Sequence, residues 1–128
     1  MRFDHVGVAT RDAAGLTELF DGLLDAPVAH EETFDGMSVV FLELDDGGYF
    51  ELLEPTAGGA IADYLDREGP GIHHVALATD DIAGALDRAR DRGIDLVDET
   101  PRPGAWGHEV AFLHPRSTGG ILVEFVEH

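Results

Sequence analysis

The chain reads as an α+β fold: two tandem βαβββ modules whose strands form one curved mixed sheet. Two observations predict it. The phrase "HVGVATRDAAG" at 5–15 returns as "HVALATDDIAG" at 74–84, with seven of eleven positions identical. Each copy is then followed by the same succession of strand, helix and shorter strand patterns, so a duplicated unit dictates the architecture.

The elements follow in order. An apolar run at 3–10 has strand length and meets an Asp-containing break. Leu16, Leu19, Phe20, Leu23 and Leu24 then recur at spacings of three and four, the pattern of one apolar helix face. Asp12 is the expected N-cap and Gly22 the expected stop. "MSVVFLEL" and "YFELLEP" flank "DDGG", which reads as a hairpin. About three antiparallel strands follow the helix, closing module one at 1–55. Residues 56–70 carry a short linker helix ended by Gly and Pro, and module two spans 71–128. Its strand is 72–79. Its helix shows Ile82, Ala85, Leu86 and Ala89 on one face, with Asp80 or Asp81 as N-cap and Gly93 as stop. "HEVAFLHP" and "ILVEFVE" flank "RSTGG", a second hairpin. Neither half buries a sheet well alone, so the 128 residues are expected to form a single domain. Equivalent positions of the two copies are expected to meet near a pseudo-twofold axis.

Composition narrows the function. With no cysteine, disulfides and thiolate metal sites are excluded. Eight Arg, no Lys and 26 Asp+Glu give a net charge of −18. That sign repels nucleic acid and anionic membranes. Molar salt, with a Debye length of ~3 Å, would screen the self-repulsion, so the charge suggests a high-salt cytoplasm. No apolar run suits a signal peptide or a membrane span, and the chain reads as cytoplasmic.

Four polar residues stand on otherwise apolar strands. His5 and His74 are related by the repeat. Glu51 in "YFELLEP" and Glu124 in "ILVEFVE" are related at nearly the same offset. A carboxylate buried without a partner is costly. Two imidazoles and two carboxylates at repeat-related positions are a ligand set for a divalent first-row ion. His73 turns to the opposite strand face and reads as a non-ligand. His30 and His128 read as surface residues, and His108 and His114 lie in the late strands of module two.

These residues resemble the vicinal-oxygen-chelate (glyoxalase) superfamily, and within it the methylmalonyl-CoA epimerases. The likeness runs nearly end to end, through "DHVGVA", "GMSVVFLEL", "ELLEP", "IADYLDREGPGIHHVAL" and "PGAWGHEVAFLHPRSTGGILVEF". The "GIHHVAL" and "FLHPRSTGG" stretches are its specific marks. The resemblance implies one divalent metal held by His5, Glu51, His74 and Glu124. Cobalt is the first expectation, with manganese, nickel or zinc as alternatives. It implies interconversion of the (R) and (S) epimers at C2 of methylmalonyl-CoA, a step of propionyl-CoA metabolism, in a homodimer. Glu124 would be ligand and base together. Glu43 is nominated as the second acid/base, because this sequence has Val39 where a relative has a carboxylate on the same strand face. Arg116, with His114 and Gly119 nearby, is nominated for the acyl-CoA substrate, and Trp106 for a lid in "PGAWGHE". The rival readings are a glyoxalase I-type lyase acting on a glutathione hemithioacetal, an extradiol dioxygenase, and a non-catalytic small-molecule-binding module of the same fold.

Overall fold

A computed structural model describes residues 1–128. The chain divides into two compact units, one of residues 5–73 and one of residues 74–128 together with 1–4.

In the 5–73 unit the strands stand in the order β2-β3-β4-β1. These are β1 (Arg2–Ala9), β2 (Val28–Phe34), β3 (Met37–Glu43) and β4 (Tyr49–Pro55). β1 runs parallel to β4, with Gly7 opposite Glu51; β3 runs antiparallel to β4, with Phe41 opposite Glu51. Strand alternation then sorts the side chains. Val40, Leu42 and Leu52 face helix α1 (Ala13–Leu24) and form the core with Ala13, Leu16 and Phe20. His5, Phe41 and Glu51 are left on the other face.

The start of α1 explains the repeated Asp-x-x-Gly. The Asp12 carboxylate accepts the Gly15 backbone N–H at 2.9 Å. A Cβ on Gly15 would stand 2.3 Å from Asp12 Oδ2, so only glycine allows the carboxylate this close. The expected stop at Gly22 is overturned. The helix continues to Leu24 and ends on Asp25 in the left-handed region (φ 52°, ψ 43°). The single apolar face is overturned too: Leu19, Leu23 and Leu24 are exposed, and only Leu16 and Phe20 of that stripe pack on the core. Five apolar residues form a stripe wider than the sheet beneath can cover. Helix α2 (Ala60–Glu68) buries Ile61 and Leu65, and its Tyr64 hydroxyl donates to the Ile72 carbonyl at 3.0 Å.

In the other unit the order is β5-β8-β7-β6. β5 (Gly71–Ala78) runs parallel to β8 (Val123–Glu127), with Ala76 opposite Glu124. β7 (Glu109–Leu113) runs antiparallel to β8, with Phe112 opposite Glu124. Helix α3 (Ile82–Asp91) buries the expected Ile82, Ala85, Leu86 and Ala89 against Ala111, Leu113 and Phe125. Of the two candidate caps, Asp81 does the work, accepting the Gly84 N–H at 3.0 Å. The third strand of this module is reduced to β6 (Arg102–Pro103). Pro101 and Pro103 lack the N–H that a longer ladder would need. Before it, residues 94–101 make only one bridge, Leu96 to Leu113. No helix of the protein is long and apolar enough to cross a membrane.

Candidate metal centre

Each unit carries one buried pair of candidate ligands, a histidine and a glutamate. In the 5–73 unit, β1 supplies His5 and β4 supplies Glu51. Both are buried, and His5 Nε2 lies 3.4 Å from Glu51 Oε1. Phe41 meets the His5 ring edge-on, with centroids 5.6 Å apart. In the other unit β5 supplies His74 and β8 supplies Glu124, again both buried, with His74 Nε2 3.6 Å from Glu124 Oε1. Phe112 meets His74 edge-on at 5.5 Å. The repeat thus extends to a third position, an aromatic ring one strand over from the carboxylate that fixes the plane of the imidazole. Alternating strand parity was a legible signal for it.

The spacing tests whether an ion fits. A charge-assisted N–H···O bond is about 2.7–2.9 Å long. Both His–Glu separations exceed it. Two ligand atoms about 2.0–2.2 Å from one ion, at ordinary coordination angles, lie roughly 2.8–3.6 Å apart. Both separations fall in that interval. Burial removes water as the alternative solvator, and imidazole with carboxylate suits first-row divalent ions. The donor set therefore fits a divalent metal.

The remaining nominated residues are placed as follows. Glu43 is exposed at the hairpin end of β3, opposite Tyr49, on the same strand face as Phe41. Arg116 is exposed and its Nε donates to Asp95 Oδ2 at 2.8 Å. That hydrogen bond and the charge behind it hold the Asp95 carboxyl below its ordinary pKa. His114 caps a short 3-10 turn, its Nδ1 accepting the Arg116 backbone N–H at 3.1 Å. Gly119 lies in the left-handed region (φ 71°), a turn conformation that glycine reaches without a steric cost. Trp106 takes a positive φ of 62° and stacks on His108 at 5.7 Å.

Of the two histidines expected at the surface, His128 is exposed but engaged, and His30 is half-buried. His128 stacks on His108 at 3.9 Å, and its Nε2 lies 2.6 Å from Oδ1 of the buried Asp4. The contact spans 124 positions, so no local pattern announces it. His30 is half-buried opposite Phe41, with its Nε2 3.7 Å from Glu32 Oε2. A β-bulge between Val28 and His30 shifts the register there. His73 meets Tyr64 edge-on at 4.8 Å.

Residues 4–112 match the model of the Glyoxalase/Bleomycin resistance protein/Dioxygenase superfamily. The ethylmalonyl-CoA/methylmalonyl-CoA epimerase of Cereibacter sphaeroides is 34% identical, with 96% of this chain and 95% of the relative covered. The crystal structure of methylmalonyl-CoA epimerase from Mycobacterium tuberculosis superposes with a TM-score of 0.92 at 34% identity, covering 98% of this chain and 87% of the other. A variant of the Streptomyces coelicolor methylmalonyl-CoA epimerase in complex with 2-nitronate-propionyl-CoA superposes with a TM-score of 0.90 at 33% identity, covering 99% and 94%.

Proposed function

This chain belongs to the Glyoxalase/Bleomycin resistance protein/Dioxygenase superfamily, and from that premise we propose that it is a metal-dependent epimerase interconverting (R)- and (S)-methylmalonyl-CoA. The observation that carries the reading is the doubled half-site. A buried His–Glu pair at metal-ligand spacing stands in each module of a chain whose named relatives are epimerases of this substrate.

His5, Glu51, His74 and Glu124 would together hold one divalent ion; cobalt leads the candidates, ahead of manganese, nickel or zinc. When bound, the ion supplies positive charge to the thioester oxygen, where the charge of an enolate develops. The chain's own groups move the proton. Glu124 takes it from C2, from a buried position opposite Phe112 in the sheet. Inversion requires a proton delivered to the opposite face, so a second acid/base is needed. Glu43 takes that role in this reading, on the face of β3 that also carries Phe41. His114, Arg116 and Gly119 border the acyl-CoA. Trp106 closes the 103–109 loop over it, its strained backbone held by its stack on His108, which stacks in turn on His128. The protein acts as a homodimer in a saline cytoplasm.

Proton NMR of (S)-methylmalonyl-CoA in D2O tests the reading. Metal-loaded protein should wash out the C2 proton, and EDTA-treated protein should not. Absence of exchange, with turnover of the methylglyoxal–glutathione hemithioacetal instead, would replace the epimerase by a glyoxalase.

A further inference from the structure

Arg102 opens the short strand β6 between two prolines. Pro103 after it holds its backbone extended. Its register partner is Val110, which stands opposite Val126. Val110 and Val126 cluster with Ala76 and Ala78. Helix α3 packs on the alternate positions, Ala111, Leu113 and Phe125. Arg102 therefore stands on the sheet face away from α3, the face that carries His74 and Glu124.

The side chain reaches along that face towards the candidate ligands. Its Cζ lies 5.5 Å from the centroid of the Phe112 ring. Phe112 in turn meets His74 edge-on at 5.5 Å. The other arginine set over an aromatic ring, Arg67, lies on Tyr64, which meets His73 instead. Asp98 fixes the Arg102 guanidinium in place. Its Oδ1 accepts from Arg102 Nε at 3.0 Å, and its Oδ2 accepts the Phe112 N–H at 2.9 Å. The Asp98 side chain is only 15% exposed, so the guanidinium rests on a fixed support. The contact uses Nε alone. Nη1 and Nη2, the end of the fork that matches a carboxylate, make no hydrogen bond within the protein.

The free carboxylate of methylmalonyl-CoA hangs from C2, the carbon that loses its proton. Enolate formation there sets a second negative charge beside the first, and their repulsion is large where water is excluded. A guanidinium on the carboxylate offsets it. The same contact fixes the acyl group at the end away from the thioester, so that C2 alone inverts. The phosphates of the CoA lie a full pantetheine arm from the thioester, whereas Arg102 stands one ring away from His74. We propose that Arg102, braced by Asp98, receives the free carboxylate of the substrate and so selects a malonyl-type acyl group. The proposal rests on the acyl-CoA reading above.

Calorimetric titration of Co2+-loaded protein with two esters tests it. Methylmalonyl-CoA carries the carboxylate and propionyl-CoA lacks it. Arg102→Gln should bind methylmalonyl-CoA about tenfold to 100-fold more weakly than the wild type, as for a lost hydrogen bond to a charged group. Its affinity for propionyl-CoA should not change, which also shows that the variant is folded. Unchanged binding of methylmalonyl-CoA overturns the proposal. Equal weakening with both esters overturns it too, because it assigns Arg102 to the phosphates or to the fold. If the wild type leaves the C2 proton in place in D2O, the epimerase reading fails by itself and the titrations still decide Arg102. A preference for methylmalonyl-CoA that Arg102→Gln abolishes upholds the carboxylate seat. No preference in the wild type, or no binding, overturns it.

Discussion

Glu54 Oε1 accepts the backbone N–H of Ala13 at 2.7 Å, tying the end of β4 to the first turn of α1. Module two repeats the device, with Glu127 Oε1 accepting the Ile82 N–H at 2.8 Å. Each capping glutamate stands three residues after a candidate ligand, Glu51 or Glu124. One strand therefore presents a carboxylate to each face of the sheet: the first towards the candidate metal, the second towards the helix.

That relationship predicts a stability loss. Glu54→Ala or Glu127→Ala removes a charge-assisted cap and leaves a helix N–H without its partner. Each should cost about 1–2 kcal/mol, measured by urea unfolding. Glu→Gln retains an acceptor and should recover part of the loss.

Metal binding should depend on both half-sites. His5→Ala and His74→Ala each remove a buried imidazole donor. Each should weaken calorimetrically measured Co2+ binding by more than about 100-fold, beyond the effect typical of residues that merely orient ligands. If one variant binds as tightly as wild type, that half does not contribute to the ion's site.

Glu43 carries a sharp kinetic expectation. In an enzyme with two acid/base groups, Glu43→Gln should still exchange the C2 proton of one epimer in D2O while epimerisation falls by about 10²–10⁴-fold. Should inversion persist at the wild-type rate, the exposed carboxylate at the end of β3 is only a solvated hairpin residue, and the second acid/base lies elsewhere.

Asp95 and Arg116 give a pH-dependent expectation. The Arg116 guanidinium lowers the Asp95 pKa in the folded state. A depressed carboxylate contributes stability above its unfolded pKa and loses it as pH falls through the folded one. In Arg116→Gln the Asp95 carboxyl resonance should titrate at higher pH than in wild type, back in the ordinary carboxylate range. No movement would mean that the pair does not persist in solution.

The net charge of −18 predicts a response to salt. The melting midpoint should rise between low and molar KCl, as screening relieves repulsion among the 26 carboxylates. A flat profile would remove the case for a saline cytoplasm.

Much of this was legible along the chain. The doubled phrase located β1, β5 and both helix starts, because Asp12 and Asp81 cap through contacts three residues long. The His–Glu pairing within each module followed from repeat offsets, since alternation with period two assigns His5 and Glu51 to one face once the register is known. The end of α1 was less legible. Gly22 is an acceptable helix residue when the next turn continues, and Asp25 is an uncommon left-handed terminator.

The sequence by itself determined the duplication, the polar residues set into apolar strands, the capped helix starts and the acidity. These are carried by local periodicity, short-range hydrogen bonds and composition. Only the tertiary structure decided that Leu19 and Leu23 stay exposed while Leu16 and Phe20 pack, that Arg116 is matched by Asp95, and that His128 meets the buried Asp4. The reason is physical. A helix's buried face is chosen by the sheet beneath it, and an ion pair is chosen by strands and turns that bring distant residues within a hydrogen bond, so neither leaves a repeating mark in the chain.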